Sequence, residues 1–65
     1  MYIVRAYGRE LYYRKSTMIN NTVLTTDRAR AARIESRGEA QAIQMLCSAE
    51  YTDSLWIVEE VSVDG

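Results

Sequence analysis

The sequence predicts an α+β fold: a small antiparallel sheet, made of an N-terminal hairpin and a C-terminal strand, with one main helix packed on one face. Three observations carry this. Residues 2–14 alternate apolar and polar side chains about a glycine-containing turn. Ser36 stands three residues before Glu39, a capping box that opens a helix. "LWIVEEVSV", residues 55–63, is β-rich and follows the helix breaker "EYTDS".

The hairpin "YIVRAYGRELYYRK" turns at Gly8-Arg9, and glycine first in a two-residue loop points to a type II′ turn. That loop sets Arg5 opposite Tyr12, Ala6 opposite Leu11 and Val4 opposite Tyr13. One face then holds Tyr2, Val4, Ala6, Leu11 and Tyr13 and should be core. The other holds Ile3, Arg5, Tyr7, Glu10, Tyr12 and Arg14. A slip by one residue would mix the two sets. Asn20-Asn21 suggests a second turn, which leaves room for a further short strand within residues 16–25.

Asp27 is a helix N-cap before "RARAA". One continuous helix over residues 28–49 is disfavoured. Gly38 would cost about 1 kcal/mol in its interior. Ile34 and Ile43 would also point in opposite directions at about 100° per residue. The expectation is a helical turn at 28–32, an extended "RIE", and a helix over about 37–49. Its buried stripe is Ala40, Ile43, Leu46 and Cys47, with Met45 and Ala42 flanking. In the closing strand Leu55, Ile57, Glu59, Val61 and Val63 share one side. The adjacent glutamates allow a bulge, which leaves the side taken by Trp56 open.

Sixty-five residues form one domain, residues 1–65, of marginal stability. A single cysteine excludes an internal disulfide, and one thiol without histidine cannot build a zinc site, so no metal and no cofactor are expected. Oligomerisation is the remaining stabiliser. No run of 18 apolar residues suits a membrane span, and the N-terminus lacks the apolar segment of a secretion signal, so a cytoplasmic protein is expected.

Charge is uneven. All eight cations lie at or before Arg37 against three acids, giving +5; the six acids from Glu39 onward give −6. Either an anionic partner or mutual neutralisation of the two halves accounts for this.

No catalytic residues are assigned. Without histidine there is no Ser-His-Asp or Cys-His chemistry, and no glycine-rich loop forms a phosphate cradle. Glu59 and Glu60 are strand neighbours and point to opposite faces. Cys47 falls in an apolar helical stripe, where a thiol is inert. Arg5, Tyr7, Tyr12 and Arg14 are the candidate partner-binding residues. One helix covers one sheet face, so theirs should stay open, and tyrosine and arginine favour binding hot spots. Base stacking on these aromatics would need more strands and a glycine-aromatic motif that is absent. Arg28, Arg30, Arg33 and Arg37 form a secondary basic patch. They carry the alternative of a small nucleic-acid binder, weakened because the broken helix need not align them.

Thr26-Asp27, Ala31, Ile34, Ser36, Glu39-Ala40, Trp56, Val58 and Val61 form a pattern, T-D-x-x-x-A … S-x-x-E-A … W-x-V-x-E-V. It resembles one in small uncharacterised bacterial and phage or prophage proteins. The likeness spans about two thirds of the chain and departs at "MINNTV". Its residues are caps, turns and core, and it carries over no active site. It implies an accessory protein in the host cytoplasm that binds a host protein, as inhibitors of bacterial immunity such as anti-CRISPR proteins do. With the composition it sets the functional expectation: a non-enzymatic interaction module, a homodimer or a host-protein ligand.

Overall fold

The computed structural model describes residues 1–16 and 22–62. Strands β1 (Tyr2–Ala6), β2 (Tyr12–Ser16), β3 (Thr22–Thr25) and β4 (Trp56–Glu60) form an antiparallel sheet in the order β3-β2-β1-β4. Helix α1 (Arg37–Glu50) packs on one face. The expected α+β fold is present, and β3 supplies the further strand. The proposed turn at Asn20-Asn21 and the placement of Val63 lie outside the described residues.

β1 and β2 pair in the expected register, Arg5 opposite Tyr12. The turn itself differs from expectation. Ala6 N–H donates to the Leu11 carbonyl at 2.9 Å and Arg9 N–H to the Ala6 carbonyl at 3.4 Å. Gly8, at φ +74°, is therefore third in a four-residue turn rather than first in a two-residue loop. The cause is Tyr7, whose N–H donates to the Leu55 carbonyl at 2.7 Å and so faces β4 rather than closing the hairpin.

The extended "RIE" segment has a structural job. Ala32 N–H donates to the Tyr13 carbonyl at 2.9 Å. Tyr2 and Ile34 exchange two hydrogen bonds of 2.8 Å. Residues 32–34 thus run beside Tyr2 on the side where β2 would otherwise continue, and Ile34 enters the core. A shift at Arg14 bulges β2, so that Lys15 opposes Val23 and Ser16 opposes Thr22.

The helix breaks fall where expected. Asp27 accepts from Ala29 N–H and caps a 3-10 turn over Arg28–Arg30. Ser36 accepts from Glu39 N–H at 3.3 Å and caps α1. Ala40 and Cys47 are fully buried against Val4, Ala6, Tyr13, Ile34 and Trp56, with Ile43 packed at their side. Leu46, expected in this stripe, is 51% exposed instead. Gln44, on the other flank of the stripe, donates to the carbonyl of buried Trp56 at 2.6 Å and gives that strand end a polar partner.

β4 runs without a bulge from Trp56 to Glu60, pairing Ala6 with Trp56, Val4 with Val58 and Ile3 with Glu59. This places Trp56 on the helix-covered face. Its indole N–H donates to the Tyr51 carbonyl at 3.2 Å, and the two rings stand 5.8 Å apart. Among the described residues no helix is long and apolar enough to cross a membrane.

Candidate interaction surfaces

The second sheet face is not open as expected. Ile3, Tyr12 and Ala31 form a second small core, with Val61 packed against it. The 3-10 turn folds over this face, and the guanidinium carbon of Arg28 stands 6.0 Å from the centre of the Tyr12 ring. Tyr12 is only 6% exposed, so its ring belongs to this second core and not to the open surface expected of it. The reason is chain economy. One helix covers one face, but the eleven residues between β3 and α1 are enough to cover part of the other.

The remaining hairpin candidates separate. Arg5 is half-buried and bonds Glu59 through Nη1 at 3.3 Å, while its buried Nε has no acceptor among the described residues. Arg14 is exposed at the bulge in β2. Tyr7 is 65% exposed. Of the four, the structure brings only Arg5 and Tyr12 into one arrangement, around Glu59 and Arg28.

That arrangement closes the part of the second face around Tyr12 and leaves its hairpin end open. Glu59 accepts from both Arg28 and Arg5. Hydrogen bonding from Arg28, opposed by partial burial and aided by the charge of Arg5, holds its carboxyl below the ordinary glutamate range. Three members of the basic patch bind acceptors of this same chain. Arg28 engages Glu59, Arg30 stands 3.7 Å from Asp27, and Arg33 donates to the Ser62 carbonyl at 3.4 Å. Arg37 sits exposed in the first turn of α1. Arg9 meets Asp53 at 3.7 Å. The basic and acidic halves therefore lie side by side, because β1 pairs with β4.

Cys47 is fully buried, and burial, with the nearby charge of Glu50 adding to it, pushes its thiol up to about 11. A thiol in that state is a poor nucleophile at neutral pH. Among the described residues there is no enclosed pocket and no group of acids or thiols placed to hold a metal ion.

Among the described residues two exposed apolar surfaces remain. The first is at the hairpin end of the sheet. Leu55 is 66% exposed and directly opposes Tyr7 across the β1–β4 seam. Beneath them Arg9 donates to Ser54 Oγ at 2.7 Å, tying the hairpin turn to the loop that enters β4. Half-buried Ile57 continues the same face, opposite Arg5. The second surface is the outer side of α1, where Met45 is 73% exposed beside Leu46.

Sequence reasoning missed Leu55 because only the register of β1 against β4 sets it beside Tyr7. Met45 and Leu46 carried a readable signal. Gly38, Ala42, Met45 and Ala49 form a second apolar stripe on α1, opposite the first. No family model, curated protein or solved structure matches the chain.

Proposed function

We propose that this chain is a non-catalytic protein-interaction module, a phage or prophage accessory protein that binds and modulates a host protein through the surface formed by Tyr7 and Leu55. One observation carries the reading. An aromatic and an aliphatic side chain stand exposed and opposed on a frame held by the Tyr7–Leu55 backbone bond and the Arg9 latch. Such a surface loses little conformational freedom on binding. Tyrosine supplies large contact area with few rotatable bonds. Arg9, Glu10 and Asp53 give it a charged rim, the arrangement of a compact protein-binding patch.

The test is capture from host lysate by the wild-type chain and by a Tyr7→Ser/Leu55→Ser variant, followed by titration calorimetry with the purified captured protein. Binding weakened by about 10–100-fold in the variant supports the reading. Equal binding by both chains removes this surface as the site.

A further inference from the structure

We infer that the outer side of α1 is a self-association surface, on which two copies of this chain pair antiparallel about a twofold axis. The inference is independent of the Tyr7–Leu55 reading, since that pair lies on the opposite sheet face. A surface helix ordinarily turns a polar side to water. Here the outward residues are Gly38, Ala42, Met45 and Ala49, all exposed. Their spacing of four, three and four residues is that of a coiled-coil seam, directly opposite the buried Ala40 and Cys47. The charged residues of the helix, Arg37, Glu39 and Glu50, all lie off this line. Nothing among the described residues calls for glycine at 38: of these, a Cβ there would meet only Ser36 Oγ, at 3.7 Å.

Size and charge select a second copy as the occupant. Antiparallel pairing sets Met45 over Ala42 of the second copy, and Gly38 beside Ala49 of the second copy. Each large side chain then meets a small one, and the twofold repeats the fit. Parallel pairing would stack Met45 on its own copy and Gly38 on its own copy, leaving a clash beside a gap.

The flanks agree. Gln41 comes beside Ser48 of the second copy, and Glu39 lies along the Leu46 side chain of the second copy, so no acid faces an acid. The Arg37 end of each helix meets the Glu50 end of the other, and the two helix dipoles oppose. A seam of about three turns, roughly 17 Å long, would bury on the order of 1,000 Å² in total. That is the low end for a specific interface, which sets the expected dimer constant at about 10–100 μM.

The experiment is sedimentation of the full chain from about 10 μM to about 1 mM. The wild type is expected to pass from monomer to dimer. Met45→Glu should shift the midpoint at least about tenfold upward while keeping the native circular dichroism, and Tyr7→Ser should leave it unchanged. Orientation is read by oxidising an equimolar mixture of Ala42→Cys and Met45→Cys chains. Buried Cys47 does not interfere. The mixed disulfide should form at least about tenfold faster than either homodimer. A wild type that stays monomeric throughout, dimerisation unmoved by Met45→Glu, or faster homodimer formation by Met45→Cys would each overturn the inference. Should Met45→Glu unfold the chain, the disulfide rates decide alone.

Discussion

Arg28 in the 3-10 turn and Glu59 in β4 are joined across 31 residues of sequence, and their ion pair closes the second sheet face over the Tyr12 ring. Arg5 completes the cluster from β1. It links the basic half of the chain to the acidic half. It also packs part of a face expected to be bare.

Acid stability should report on this cluster. The Glu59 carboxyl is held low by Arg28, so its contribution is full above the unfolded glutamate value of about 4.3 and is lost as pH falls through the lower folded value. Thermal melts of the wild type should therefore be flat near neutrality and decline in acid. Glu59→Gln should melt lower at pH 7 and show a shallower acid decline. Added salt should narrow the gap, because the pair is partly exposed. An unchanged acid slope in the variant would separate Glu59 from acid unfolding.

Tyr12 and Tyr7 should behave in opposite ways. Tyr12→Ala removes a ring packed among Ile3, Ala31 and Val61, at a cost of about 3–5 kcal/mol. Total stability for a chain of this length is about 3–10 kcal/mol, so the variant should be largely or wholly unfolded by urea titration at modest denaturant. Tyr7→Ala should stay within about 0.5 kcal/mol of the wild type, since its ring is exposed.

The thiol of Cys47 should be silent in the native protein. With burial raising it to about 11, an aromatic disulfide reagent at pH 8 should react only at the rate of unfolding, and at once in denaturant. Cys47→Ser should cost about 1–3 kcal/mol by burying a hydroxyl without a partner. Rapid native labelling would contradict the packing of α1 on the sheet.

The start of α1 offers a pair of opposed effects. Ser36→Ala removes the side chain that accepts from Glu39 N–H and should cost about 1 kcal/mol. Gly38→Ala should stabilise the monomer by about 0.5–1 kcal/mol, since the added methyl meets ordinary contact only. Denaturant melts at concentrations below self-association read both.

Local chemistry in the sequence determined where elements begin and end. Asp27 and Ser36 are caps whose side chains reach backbone N–H groups two and three residues away, so their effect needs no tertiary context. Alternation about Gly8 likewise determined the register of Arg5 with Tyr12, and the phase conflict between Ile34 and Ile43 determined the break before α1. Only the folded chain decided what covers the second face, which side Trp56 takes, and which helix positions are left dry. Those outcomes depend on contacts between residues far apart in sequence. Examples are Arg28 with Glu59, Tyr7 with Leu55 and Gln44 with Trp56. A residue's own type and near neighbours carry no record of which distant segment will pack against it. The same principle explains why Tyr12 and Tyr7, alike in type and on one face of one hairpin, end as core and surface.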